Sequence, residues 1–565
     1  MSTIEVQRPD LYIKKLVFKN GETLETEKGD IVVFVGSNNV GKSRLLKDIF
    51  DLAGMYKFAT ILEEIKCSKS NVENIECWCG KHLSVATNSY GTVYSGYGLM
   101  SPISKNAIIN ANTQSFRELR DVVICFLNTE SRLLISKPAE GVGKYDSIKS
   151  PIQALLRDAN LLKKVTSYVK KAFGTSISPR VGKTIPLCIG PDICKEEISG
   201  ETMQEVEANY LQRLESYPQL QDQGDGMRSF IGMILWFMLE HYNIFLVDEP
   251  ETFLHPPQAT LIGSIVGELI TGERQAFIAT HSIHFINGLL EKAPNRVKII
   301  RVTRTENTNA FSILDNVSLC QISKDPYLKY SSLLEGMFYK NVVLCEGDAD
   351  CMFYSMINSA SDMKGEKNTD TLFTHCGGKH RMAKVLGALK KLNVEVKVIP
   401  DFDMLNKENL LKELIQACGG NWDCIKKDYN VLISDVKQRS NSGTTGQEVL
   451  EKIQEELADV LDKEVTPTKM RSIREMLESN TEWDRLKKIG VNGVGHGNPR
   501  QACEAILNYL KTLGIYVVPC GELECFLPRV GGHGPDWLLN VIEQFPDTSN
   551  NAYDAAKEFV RAWGL

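Results

Sequence analysis

The stretch Ile31-Val32-Val33-Phe34-Val35-Gly36-Ser37-Asn38-Asn39-Val40-Gly41-Lys42-Ser43 decides how the first half of the chain is read. Its five leading residues are apolar and mostly β-branched, the signature of a buried strand. The next eight fit Gly-x-x-x-x-Gly-Lys-Ser, and a helix is expected to open over Ser43 to Leu52. Glycines at both ends of such a loop let backbone N–H groups converge on a phosphate chain, and the helix N-terminus adds positive potential. The reading assigns Gly36, Asn38, Asn39 and Gly41 to a phosphate cradle, Lys42 to the β- and γ-phosphates of ATP, and the Ser43 hydroxyl to Mg²⁺.

Two later segments supply the rest of that site. Asn243-Ile244-Phe245-Leu246-Val247-Asp248-Glu249-Pro250 is an apolar strand ending in two carboxylates. Asp248 suits Mg²⁺ through water, and Glu249 suits activation of an attacking water. Taken alone, such a pair could equally be a solvated turn. Thr280-His281-Ser282 ends the next strand, Gln275 to Thr280, and places His281 to sense the γ-phosphate. Around these, a helix is expected over Ser229 to Leu239, another over Ala259 to Ile270, and strands over Leu11 to Phe18, Val297 to Val302 and Ala310 to Leu314. Helices are expected over Leu155 to Phe173 and Glu196 to Leu214, whereas Met55 to Asn110 shows no sustained period.

Working outward, 565 residues exceed one core, so several folding units are expected. Apolar residues make up 43% and charged residues 24%, which excludes disordered and collagenous classes. No apolar run is long enough to span a bilayer, so no membrane partner is expected, and Met1 to Asp10 lacks a signal-peptide core. Fifteen scattered cysteines suit a reducing cytosol. A net charge of −6 disfavours a globally basic DNA-coating protein but permits a local basic channel.

The second half carries its own acidic signal. Val342-Val343-Leu344-Cys345-Glu346-Gly347-Asp348-Ala349-Asp350 runs from a strand into a turn and a helix. Val398-Ile399-Pro400-Asp401-Phe402-Asp403 is another strand with carboxylates at its end. Strands over Val342 to Cys345, Thr371 to Thr374 and Val394 to Ile399 alternate with helices over Asp350 to Ile357 and Met382 to Leu392, which argues for a parallel sheet. Ligands of such sheets gather at the carboxyl ends of the strands. Carboxylates crowded there repel one another unless cations intervene, and oxygen donors suit Mg²⁺ or Mn²⁺. Two ions about 4 Å apart can assist both the attacking and the leaving oxygen of a phosphodiester.

The first constellation resembles the ABC-type ATPase head of SMC-type proteins. Glu249-Pro250-Glu251-Thr252-Phe253-Leu254-His255-Pro256 is similar to the loop such heads carry after the catalytic glutamate. Gly224-Asp225-Gly226-Met227-Arg228-Ser229 stands where they place the signature motif, although the wording departs from Leu-Ser-Gly-Gly-Gln. That resemblance implies a homodimer in which Gly226 and Arg228 of one subunit cap ATP held by the other. Asn128 to Arg132 falls near the expected Q-loop. The second constellation resembles a Toprim domain, and Gly377-Gly378 between its strands fits as well.

An ATPase head followed by a Toprim domain resembles the OLD (overcoming lysogenisation defect) family of ATP-dependent endonucleases. The resemblance implies an α/β architecture: a head over residues 1–335 with a helical arm or dimerisation insertion at about 150–223, then a Toprim domain over 336–565 with a helical insertion at about 407–497. It implies metal ligands at Glu346, Asp350, Asp401 and Asp403, with Glu522 and Glu524 of Gly521-Glu522-Leu523-Glu524 for a second ion. The family's charge-neutralising lysine is matched to Lys557, which read by itself is a solvated helix face. Lys379, Arg381 and Lys384 could hold backbone phosphates or simply be exposed charge, and His533 receives no role. Cys67, Cys77, Cys79 and His82 offer zinc-ligand residue types, against which the tight Cys-x-Cys spacing argues.

The resemblance implies a cytoplasmic enzyme that cuts DNA in anti-phage defence, regulated by nucleotide or by partners such as a reverse transcriptase with its nucleic acid, or a helicase. The rival reading is an ATP-gated DNA-binding clamp whose Toprim domain is only a scaffold.

Overall fold

The computed structural model describes residues 7–564 except 55–57, 89–90, 97–98, 100–101, 144–145, 147, 192–201, 307, 315–331, 362–369, 392, 441–449, 452, 455–456, 458–469 and 471–481. The chain forms two compact α/β units, Met1–Tyr330 and Ser331–Leu565. The break expected from Asp325 to Lys340 therefore lies partly outside the described residues. Among those residues no helix is long and apolar enough to cross a membrane.

Six strands build the main sheet of the first unit, in the order Thr308–Leu314, Val297–Thr305, Ile31–Val35, Gln275–Ala279, Ile244–Asp248, Ile124–Leu127. All pairings are parallel except the outermost, between Thr308–Leu314 and Val297–Thr305. Every residue of Ile31–Val35 and Gln275–Ala279 is buried. Strands covered on both faces need such unbroken apolar runs rather than alternation. The register sets Ala279 beside Phe34 and Asp248 beside Ala279. Gly36, Asp248 and Thr280 consequently emerge side by side at the carboxyl ends of three central strands.

A three-stranded antiparallel sheet, Thr23–Glu25, Ile13–Phe18 and Leu62–Cys67, packs beside it. The buried Gln275 amide joins the two sheets: its oxygen accepts from the Ile13 N–H at 2.9 Å and its nitrogen donates to the Ile13 carbonyl at 2.9 Å. The stretch without a period thus contains regular structure, including the strand Leu62–Cys67 and the helix Val72–His82. The helix expected over Leu155 to Phe173 is divided into Pro151–Arg157 and Ala159–Phe173. Asp158 accepts from the N–H groups of Asn160 and Leu161 and so caps the second helix. The region 150–223 also holds paired strands, Ser176–Pro179 and Leu187–Gly190, before the helix Met203–Glu215.

In the second unit three parallel strands take the order Thr371–His375, Asn341–Cys345, Glu395–Ile399. The segment Ile515 to Val518 extends the sheet. Tyr516 N–H donates to the Val398 carbonyl at 2.8 Å and Val518 N–H to the Pro400 carbonyl at 3.0 Å. Helix Asp348–Ser361 packs Phe353 and Tyr354 into a core shared with Trp537, Tyr553 and Trp563. Helices Glu408–Ala417, Lys426–Ser440 and Glu482–Ile489 follow the third strand, and most of the polar loop Arg439 to Gly446 lies outside the described residues.

Candidate active sites

In the first unit, Gly36 has φ 143° and Gly41 φ 100°, and Asn39 also has positive φ, at 63°. A Cβ on Gly36 would lie 2.3 Å from the Val302 carbonyl oxygen, so glycine is sterically required there. Gly41 caps helix Lys42–Ala53. The buried Lys42 ammonium donates to the Gly36 and Ser37 carbonyls at 2.8 Å each, curling over the loop. Burial lowers its pKa, opposed by Glu249, Glu251 and Asp248, so three carboxylates face this lysine.

Ser43 Oγ donates to Asp248 Oδ1 at 2.7 Å. A hydroxyl in a helix's first turn joined to a carboxylate at a strand end is the donor set that the Mg²⁺ of a nucleotide site uses, so these residues fit the ion. Burial raises the Asp248 pKa, partly offset by the Ser43 bond. Glu249 occupies φ 47°, and its N–H is held by the Ala279 carbonyl at 2.8 Å. His281 Nδ1 lies 3.8 Å from Glu249 and 3.3 Å from Glu251, whose other carboxylate oxygen is buried without a partner. The structure therefore gathers the loop, Ser43, Asp248, Glu249 and His281, and adds Glu251, which sequence reasoning passed over as part of a loop.

The signature stretch opens helix Asp225–Phe237. A Cβ on Gly226 would come within 2.7 Å of the Phe253 carbonyl, so the stretch packs tightly on the loop after Glu249. Arg228 donates to Ser136 Oγ at 2.9 Å and to Asp225 at 2.7 Å.

In the second unit, ligand oxygens of Glu346, Asp401 and Asp403 lie within 4.8 Å of one another at adjacent strand ends. The Asp401 N–H donates to Glu346 Oε1 at 3.1 Å. Burial pushes the Asp401 carboxyl well up, and Glu346, Asp350 and Asp403 push the same way. Burial also raises Glu346, against the pull of Lys379. Asp403 Oδ1 is buried and has no partner. An all-oxygen donor set with an orphaned buried oxygen fits a hard divalent cation.

A second group, Glu522, Glu524 and His533, also comes within 4.8 Å. Asp350 lies between the groups electrostatically: burial first, then Glu346 and Glu524, raise its carboxyl to about 6, and it accepts the Gly347 N–H at 2.8 Å. His533 Nδ1 sits 2.6 Å from Glu524, giving that histidine a place the sequence left open.

Two lysines enter this crevice. Lys379 meets Asp403 at 2.5 Å, and Lys487 meets Glu522 at 3.0 Å. Lys487 also feels Asp403 and Asp401. Its helix, Glu482–Ile489, is held by close backbone contact: a Cβ on Gly521 would lie 2.1 Å from the Lys487 carbonyl, and one on Gly490 2.0 Å from the Pro519 carbonyl. Lys557 is placed elsewhere. Its ammonium donates to the Asn550 carbonyl at 3.2 Å and pairs with Asp554 at 3.6 Å, one turn away on helix Asp554–Arg561. Lys557 is buried along with Phe559 and Val560 of the same helix. Among the described residues, Cys67, Cys77, Cys79 and His82 do not assemble as a metal group; Cys67 and Cys79 are buried thiols pushed up to about 12 by burial.

Two family models match the chain. The AAA domain model whose description names the AbiEii toxin of a Type IV TA system covers residues 207–287. The "Overcoming lysogenization defect protein-like, TOPRIM domain" model covers residues 337–403. No curated protein matches the chain. Among solved structures, the SMC head domain from Thermotoga maritima is 15% identical with a TM-score of 0.29, covering 54% of this chain and 99% of that one. An Smc head domain from Pyrococcus furiosus, bound to the C-terminal domain of ScpA, is 12% identical with a TM-score of 0.30, covering 55% and 98%. An ABC transporter component from Clostridium perfringens is 13% identical with a TM-score of 0.27, covering 52% and 85%.

Proposed function

For a chain that carries an AAA-type ATPase domain followed by an OLD-like TOPRIM domain, we propose an ATP-hydrolysing, divalent-metal-dependent endonuclease that cuts DNA. The observation carrying this reading is the convergence of Glu346, Asp401 and Asp403 within 4.8 Å. Side chains so buried and so mutually repulsive are a standing cost unless a cation offsets them.

Glu346, Asp401 and Asp403 would hold one Mg²⁺ or Mn²⁺, and Asp350, Glu522 and Glu524 a second. When bound, such ions supply a nucleophile from water at neutral pH and stabilise the leaving oxygen. The chain's own part is positional. The Asp401 N–H fixes the Glu346 carboxylate, and the Gly347 N–H fixes Asp350. Lys379 and Lys487 bring positive charge to the crevice and take the role that the resemblance had given to Lys557.

In the head, Lys42 and the N–H groups of its loop bind the triphosphate, and Ser43 with Asp248 holds Mg²⁺. Glu249 orients water while His281 senses the γ-phosphate. The glycine-lined signature stretch and the exposed Phe253 beside it support a homodimer of heads closing on ATP. By its resemblance to the OLD family the enzyme would serve as an anti-phage effector in the cytoplasm, regulated by nucleotide or by partner subunits.

The test is incubation of the purified chain with supercoiled plasmid and Mn²⁺ or Mg²⁺. Wild type is expected to nick or linearise it, EDTA to abolish cleavage, and Asp401→Ala to abolish cleavage while ATP turnover persists. DNA binding without cleavage under all these conditions would instead favour a clamp.

A further inference from the structure

Arg132 is fully buried. A guanidinium taken from water must satisfy its N–H donors internally, and here it does so on three separate elements. Nη1 donates to the Asp248 carbonyl at 2.6 Å, and Nη2 to the Glu249 carbonyl at 3.0 Å. Nε donates to Ser229 Oγ at 3.1 Å, and Nη2 also reaches Thr129 Oγ1 at 3.3 Å. Arg132 itself stands on the short helix Thr129–Leu134, which follows the edge strand Ile124–Leu127.

The acceptors matter more than their number. Asp248 and Glu249 are the carboxylates that end the strand, and Glu249 holds a positive φ that a non-glycine residue keeps only under constraint. Ser229 lies one residue beyond Arg228, in the helix that begins with the signature stretch. Arg228 makes a second tie, to Ser136 Oγ and the Leu133 carbonyl. A Cβ on Gly232 would lie 2.2 Å from the Arg132 carbonyl oxygen, so the two helices touch backbone to backbone. The Arg132 helix and the signature helix thus form one body, and the Arg132 side chain bonds that body directly to the Asp248 and Glu249 carbonyls.

Building on the ATPase reading, we propose that Arg132 is a positioning residue for ATP hydrolysis. It fixes the Asp248–Glu249 backbone so that the Glu249 carboxylate stays aimed at the attacking water. It also carries engagement of the Gly226–Arg228 stretch to that backbone. Arg132 touches neither nucleotide nor water in this role, so its loss affects turnover rather than binding.

The experiment measures affinity for a fluorescent ATP analogue and steady-state ATP hydrolysis on the full chain, for wild type, Arg132→Gln, Arg132→Lys and Ser229→Ala. Affinity is expected to stay within about threefold, because Lys42 and its loop are untouched. The kcat of Arg132→Gln is expected to fall by about 100-fold, the scale of a ~1 Å misplacement of a catalytic group. Arg132→Lys should recover part of that loss, since one ammonium can serve one carbonyl but not the planar pair. Ser229→Ala, which removes one acceptor and leaves the carbonyl bonds, should lose less. A folded Arg132→Gln with wild-type kcat, or with affinity and kcat lost together, overturns the proposal. If Arg132→Gln fails to fold, unchanged kcat in both Arg132→Lys and Ser229→Ala overturns it. Absence of ATP turnover in the wild type would be a different result and would remove the ATPase reading itself.

Discussion

The ammonium of Lys379 lies 2.5 Å from a carboxylate oxygen of Asp403, inside the crevice formed with Glu346 and Asp401. The lysine neutralises part of the charge that a divalent ion would neutralise more completely. Lys379 and the ion therefore compete for Asp403. Lys379→Met is expected to bind Mn²⁺ more tightly than wild type, by about tenfold, given the strength of one charge contact in a partly buried site. Calorimetric titration of Mn²⁺ checks this, and equal or weaker binding in the variant would mean that Lys379 does not stand in for the cation.

Asp350 sets a pH dependence. Its carboxyl is raised from an ordinary 3.8 to about 6, chiefly by burial. Between those values the folded protein holds a proton that the unfolded chain has released. The contribution of Asp350 to metal-free stability should therefore be most favourable at low pH, fall as pH rises from about 4 to about 6, and stay lowered above. Asp350→Asn removes a cost of at most about 3 kcal/mol at pH 7.5, less about 1 kcal/mol for the Gly347 bond it weakens. Urea denaturation in EDTA at pH 5 and 7.5 should show a shallower pH slope in the variant. An identical slope would show that Asp350 titrates normally.

The two lysines Lys487 and Lys557 separate the structure from the sequence. Lys487→Met is expected to lose plasmid cleavage while keeping its fold, because its ammonium faces Glu522. Lys557→Met should keep cleavage in whatever fraction folds, because Lys557 bonds to Asn550 and Asp554. Cleavage rates normalised to folded protein by circular dichroism check the pair. The reverse pattern would restore the role that family resemblance gave to Lys557.

Lys42→Ala should abolish ATP hydrolysis and leave the second unit folded. The Lys42 ammonium bonds within its own loop, to Gly36 and Ser37. Loss of Mn²⁺ binding in that variant, measured by the same titration, would show that the mutation unfolds more than the nucleotide loop.

Much of the sites was legible because their residues obey local rules. Gly36 and Gly41 stand where positive φ is needed, and Asp248, Glu346 and Asp401 end apolar strands, a pattern visible without coordinates. The rest depends on long-range packing. Arg132 closes the stretch Asn128 to Arg132 near the expected Q-loop, and nothing in Thr-Glu-Ser-Arg-Leu-Leu marks its side chain as buried; the approach of Ser229 and the Asp248 carbonyl gives it partners there. Lys487, in Leu-Lys-Lys-Ile, looks like one of many exposed helical lysines. Its position comes from Gly490 and Gly521, whose missing side chains let two backbones meet. Ile515 to Val518 is an apolar, mostly β-branched run with strand propensity, yet its partner Val398 is more than a hundred residues earlier. Asp158 shows the converse: it lies inside the stretch Leu155 to Phe173 expected as one helix, yet it ends one helix and caps the next.

The most direct test of the central claim is a crystal structure of the chain grown with Mn²⁺, with anomalous scattering recorded at the manganese edge. The account expects an anomalous peak coordinated by Glu346, Asp401 and Asp403, with the Lys379 ammonium displaced from Asp403. Saturating Mn²⁺ that leaves Lys379 on Asp403, with no peak among these carboxylates, would contradict it.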